Sequence, residues 1–96
     1  MKTNNYRTKL IHLAERLGVT DEMAGEECWQ QQLSIPQIEE TTLRLFRDHV
    51  DAECRIVAGV GDDRESGVLD SFRDGMAVVR WDQGTATLCP VDDIEA

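Results

Sequence analysis

With 96 residues, 30% of them charged and a formal charge of −9, the chain has the size of one domain and a field that repels phosphate backbones. No apolar run approaches the ~18 residues of a transmembrane helix, and Met1 to Arg7 are polar, so the sequence reads as a cytoplasmic protein with no membrane partner. Three cysteines, Cys28, Cys54 and Cys89, lie far apart with no CxxC pair, which speaks against a disulfide framework and against structural zinc.

The charge is unevenly spread. In residues 1–17, Lys2, Arg7, Lys9 and Arg16 face one acid, Glu15, so the acidity lies in the rest of the chain. Tyr6, Leu10, Leu13, Ala14 and Leu17 recur at steps of three and four and predict a helix from Asn4 to Leu17. Asn4 or Asn5 can cap it, and Gly18 can end it. Its basic residues are expected on the opposite face, open to solvent, with His12 beside the stripe.

Thr20 is the next cap, followed by Asp21 and Glu22 where the helix dipole favours anions. A second helix is expected from Asp21 to Gln32, with Met23, Ala24, Cys28, Trp29 and Leu33 as its stripe. Gly25 weakens it by about 1 kcal/mol relative to Ala. Trp29 is assigned to the core. Ser34 and Gln37 then have capping-box spacing, and Pro36 sits in the first turn, where its missing amide costs nothing. Ile35, Ile38, Thr42, Leu45, Phe46 and His49 fall on one face of this third helix.

Glu53 to Ala58 reads as a short strand. Gly59 to Ser66 is a polar loop that lacks the third Gly and the Lys of a phosphate loop, and lacks the spaced ligands of an EF-hand. Asp74-Gly75 between two apolar runs is a strong hairpin signal. Asp82-Gln83-Gly84 predicts a second turn before an extended run from Thr85 to Cys89, which Pro90 ends. Alternation places Val68, Asp70 and Phe72 on one side of their strand, Leu69 and Ser71 on the other. In the next strand, Ala77, Val79 and Trp81 share a face, as do Met76, Val78 and Arg80. Two apolar faces require two covers, a barrel interior and the helices. Val91 to Ile94 reads as one short turn tucked into the barrel end.

The stretches Arg55-Ile56-Val57, Gly67-Val68-Leu69, Asp74-Gly75, Val78 to Asp82 with Gly84, and Pro90 to Glu95 resemble an SH3-like small β-barrel of the Tudor and KOW-like kind. The resemblance covers residues 53–96. It implies an α+β fold, an N-terminal three-helix segment (residues 1–52) packed on a C-terminal SH3-like antiparallel small barrel in one integrated unit. In overall make-up the chain is similar to small bacterial proteins. Such barrels host protein, peptide and nucleic-acid binders. Residues 53–96 carry ten acids against four arginines, which disfavours nucleic acid.

No catalytic, cofactor or metal motif is present, so no enzyme activity and no cofactor is expected. The leading expectation is a non-catalytic interaction module whose acidic barrel surface binds a protein partner with a basic surface. Its candidate contact residues are Asp62, Asp63, Glu65, Phe72, Trp81 and Asp82. One alternative is a DNA-mimicking inhibitor of a nucleic-acid enzyme. Another is weak nucleic-acid binding through Lys2, Arg7, Lys9 and Arg16. A homodimer is compatible with an apolar third helix and two tryptophans on so short a chain.

Overall fold

A computed structural model describes residues 2–96, with side chains from residue 5 onward. The helices are α1 (Lys2–Arg16), α2 (Asp21–Ala24) and α3 (Ile35–His49), and the strands are β1 (Arg55–Ala58), β2 (Glu65–Arg73), β3 (Met76–Trp81), β4 (Ala86–Cys89) and β5 (Ile94–Glu95). Single 3-10 turns span Trp29–Gln32, Gly61–Asp63 and Val91–Asp93.

The stripe of α1 is the centre of the core: Leu10, Leu13, Ala14 and Leu17 are fully buried. The helix begins ahead of Asn4 and Asn5, so neither caps it. The expected second helix is interrupted. After one turn, Gly25 takes a left-handed conformation (φ +73°), and its N–H closes onto the carbonyls of Asp21 and Glu22. A glycine in that conformation ends a helix rather than merely weakening it. Cys28 is left-handed as well, and the chain resumes as the 3-10 turn that buries Trp29. The three-helix expectation therefore reduces to two long helices and a short one.

The third helix follows its local signals closely. Ser34 and Gln37 form the complete capping box, and Pro36 lies in the first turn. Ile38, Thr42, Leu45 and Phe46 are buried, Ile35 is half-buried, and His49 is exposed.

The five strands form one antiparallel sheet in the order β4-β3-β2-β1-β5. The sheet does not close, so the expected small barrel is not formed. With four residues in β4 and two in β5, little ladder is available for closure. Only one face of the sheet is deeply buried. Ile56, Ala58, Leu69, Ala77, Val79 and Ile94 join Leu10, Leu13, Leu17, Ile38, Leu45 and Phe46 in a single apolar cluster. The helices thus cover the face that a barrel would have turned inward. On the other face, Met76 and Val78 are half-buried and Leu88 is exposed.

Asp74 and Gly75 both have positive φ and make the tight turn between β2 and β3. One irregularity redirects β2. Leu69 lies opposite Val79, but Ser71 lies opposite Val78, so Asp70 is an extra, bulged residue. Alternation reverses at the bulge and carries Phe72, opposite Ala77, onto the face of Leu69. The expected grouping of Phe72 with Val68 and Asp70 is corrected by that one residue. At the C-terminal end, the turn stops at Asp93. Ile94 and Glu95 pair with Ala58 and Val57 as a fifth strand.

Candidate functional site

Helix α3 ends where the N–H groups of Val50 and Asp51 both donate to the Phe46 carbonyl at 2.9 Å. Asp51 Oδ1 accepts from the Glu53 N–H at 2.9 Å, a turn held by a side chain two residues back. The Cys54 N–H returns to the Asp51 carbonyl at 2.9 Å. This joint sets Asp51 and Glu53 beside the start of β1. There Arg55 Nη2 donates to both Glu53 carboxylate oxygens, at 3.1 and 3.0 Å.

Across the ladder, the turn after β3 brings Asp82 to the same place. Asp51, Glu53, Arg55, Ser66, Val68 and Asp82 line an open groove of about 540 Å³. Three carboxylates share the groove with one guanidinium, which pairs with Glu53. Arg55 is held above its ordinary pKa, first by its hydrogen bond to Glu53, then by the charges of Glu53, Asp51 and, more weakly, Asp82. The groove carries excess negative charge, is open to water, and has a partly apolar lining in Val57 and Val68.

The six contact residues expected from the sequence are dispersed. Asp82 lines the groove. Asp62 and Asp63 lie exposed in the 3-10 turn beyond the opposite end of β1, a strand whose length alone is about 10 Å. Glu65 is with them, opposite Ala58. Arg64, between them in sequence, pairs with Glu95. Phe72 and Trp81 are half-buried and packed against the core. Trp81 Nε1 donates to Thr87 Oγ1 at 2.8 Å. Its ring lies over Gly67, where a Cβ would come within 3.0 Å of it. Sequence reasoning left Asp51 and Glu53 out of the contact set and read Glu53 as the start of the strand, which begins at Arg55. Strand alternation gave no signal for the pair, because Cys54 between Glu53 and Arg55 is left-handed (φ +55°).

Among the described side chains of α1, which do not include that of Lys2, the cations Arg7, Lys9 and Arg16 are all engaged with their own chain. Arg7 Nη2 donates to the carbonyls of Gln30 and Leu33, each at 2.7 Å, and so ties down the Trp29 turn. Arg16 Nε donates to the Ile94 carbonyl at 3.0 Å, and its Nη2 to the Val91 carbonyl at 2.7 Å. Lys9 Nζ pairs with Asp92 at 3.2 Å. Arg7 and Arg16 are half-buried, contrary to their expected exposure. Tyr6 donates to Glu39 Oε2 on α3. Burial first, then the hydrogen bond and charge of Glu39, push the phenol well above its ordinary pKa.

Cys28 is exposed, Cys89 half-buried and Cys54 buried, all as free thiols. Among the described residues, no cluster of three or more His, Cys, Asp or Glu side chains is placed to hold a metal. Among the described residues, no helix is long and apolar enough to cross a membrane. No protein-family model matches the chain, and no curated protein or solved structure matches it either.

Proposed function

We propose that this protein is a non-catalytic interaction module whose acidic sheet surface binds a protein partner with a basic surface. One observation carries the reading: Asp51, Glu53 and Asp82 line one open groove that holds a single arginine. The inward use of Arg7 and Arg16 supports it, because cations that bond carbonyls of their own chain do not offset the acids at the surface. The resemblance of residues 53–96 to small interaction barrels fits the same role, with the sheet open rather than closed.

Binding of a labelled oligolysine peptide to the full chain tests the reading. The peptide is expected to bind at low salt and to dissociate at moderate salt. The triple variant Asp51→Asn, Glu53→Gln, Asp82→Asn is expected to bind several-fold more weakly. Equal binding by the variant, or binding indifferent to salt, contradicts the groove as the contact surface.

A DNA-mimicking role for the same acids is the weaker reading. Asp62 and Asp63 stand at the other end of β1 from the groove, and Arg55 and Arg64 interrupt the negative surface. Nucleic-acid binding through α1 loses its support with the inward turn of Arg7 and Arg16 and the pairing of Lys9 with Asp92.

A further inference from the structure

The sheet has two edges, and they are guarded differently. β5 is two residues long, and its Glu95 is paired with Arg64. Brevity and charge both discourage another strand from adding there. β4 is twice as long and carries no charge. From Gln83 to Val91 the chain holds no charged residue, in a protein that is 30% charged. Ala86, Thr87 and Leu88 are all exposed, Leu88 to 47%. Among the described residues, β4 is paired with β3 alone.

The phase of the ladder says which backbone groups are unused. Trp81 lies across from Thr85 in register, and its N–H donates to the Thr85 carbonyl at 2.8 Å. Hydrogen-bonded pairs recur every second residue in an antiparallel ladder. Thr87 and Cys89 therefore turn their N–H and C=O groups toward Val79 and Ala77. Ala86 and Leu88 turn theirs away from β3, outward. Two donors and two acceptors stand on this edge, with the Leu88 side chain beside Val78 on the uncovered face.

The geometry points to β4 as a strand-addition site for an extended segment with an apolar centre and basic flanks. This rests on the proposed basic partner and says how that partner is held. Charge selects the occupant. Asp82 precedes the uncharged run, and Asp92 and Asp93 follow it, Asp92 in an exposed pair with Lys9. A lysine or arginine at each end of an incoming strand meets these acids, and its uncharged middle meets Ala86 to Leu88. A second copy fits poorly. Pairing two copies sets one chain of formal charge −9 against another, and such like-signed fields repel. Main-chain bonds would supply affinity and the flanking charges specificity, the division of labour in strand addition.

The test is amide hydrogen exchange on the full chain with a synthetic peptide of alternating Val and Thr flanked by two lysines at each end. A second peptide has glutamates in place of the lysines. The lysine peptide is expected to slow exchange at Ala86 and Leu88 by at least about tenfold and to leave Thr87, already bonded, nearly unchanged. The glutamate peptide is expected to do nothing. Leu88→Pro removes only an outward N–H, which an edge strand tolerates, and is expected to abolish the protection. Leu88→Lys is a second variant that keeps the backbone donor and repels the lysine flanks; it is expected to weaken binding several-fold.

Salt-sensitive binding without protection at Ala86 and Leu88 overturns strand addition and leaves the acidic-module reading standing. No binding by the lysine peptide overturns both. Protection of the same two amides in the absence of peptide, rising with protein concentration, assigns the edge to a second copy and overturns the basic partner there.

Discussion

Arg16 and Ile94, far apart in sequence, are joined across the molecule by the Arg16 Nε–H donating to the Ile94 carbonyl at 3.0 Å. The same guanidinium holds the Val91 carbonyl. One side chain of α1 thus fastens the last turn and the last strand. Charge-assisted bonds to half-buried carbonyls are worth about 1.5–3 kcal/mol each, less the cost of ordering the side chain. Arg16→Met keeps much of the apolar stem and loses both bonds. A fall in stability of about 2–4 kcal/mol is expected from urea unfolding. Arg16→Lys is expected to recover only part, because an ammonium cannot reach two carbonyls with a fixed fork. A change below about 0.5 kcal/mol for Arg16→Met would show that the bonds add nothing net.

Gly67 is required by its neighbours rather than by its own backbone. A Cβ there would lie 2.8 Å from Val79 Cγ1, 3.0 Å from Trp81 Cε3 and 3.1 Å from the Arg80 carbonyl oxygen. Val79 is fully buried and cannot easily move. Gly67→Ala is expected to cost about 1–3 kcal/mol, the usual penalty for overpacking, and to shift the tryptophan emission as the Trp81 ring is displaced. Unchanged stability and unchanged emission would count against the close approach.

Thr42 is fully buried on α3, and its Oγ1 has no hydrogen-bond partner among the described residues. A buried hydroxyl without a partner carries a desolvation cost. Thr42→Val keeps the shape and removes the hydroxyl, and is expected to stabilise the fold by about 1 kcal/mol. Thermal unfolding reads the sign directly. A loss of similar size would mean that the hydroxyl bonds a backbone carbonyl of its own helix.

Tyr6 is the chain's one tyrosine, so tyrosinate absorbance follows it alone. Its folded pKa lies above the ordinary value near 10, through burial first and then Glu39. The folded state therefore keeps its proton where the unfolded state has lost it. The associated stability is complete below pH about 10 and declines as pH rises through the folded pKa. The folded protein is expected to show no tyrosinate step near pH 10, and urea unfolding above that pH is expected to show falling stability. Tyr6→Phe is expected to flatten this dependence. An ordinary tyrosinate titration in the folded chain would contradict the Tyr6–Glu39 arrangement.

What the sequence revealed follows from how local each signal was. Ser34, Pro36 and Gln37 lie within one turn and act on each other, so the start of α3 could be read directly. Asp74-Gly75 fixed its hairpin for the same reason. Gly25 was visible, but its left-handed φ depends on where the chain must turn next, so one broken helix looked like one weak helix. Asp70 hid the bulge: alternation cannot reveal an extra residue until the partner strand is in place, and Phe72 was put on the wrong face. Arg7 and Arg16 looked like solvent-facing charge because the carbonyls they bond come from distant segments. Barrel closure was out of reach too, since it depends on the ladder available between β4 and β5. The acidic character of the groove was legible; its place was not, because Asp51, Glu53 and Asp82 meet only after the strands pair.

The central claim is that α1 and α3 cover the apolar face of an open sheet, so that helices and strands stand or fall together. Native-state hydrogen exchange tests it most directly, through the amides of Leu13, Phe46 and Val79 in the full chain. Exchange of all three is expected only through global opening, with free energies equal to within about 0.5 kcal/mol and falling in parallel with denaturant. If Val79 stays protected after Leu13 and Phe46 have exchanged, the sheet holds without its helices and the account is wrong.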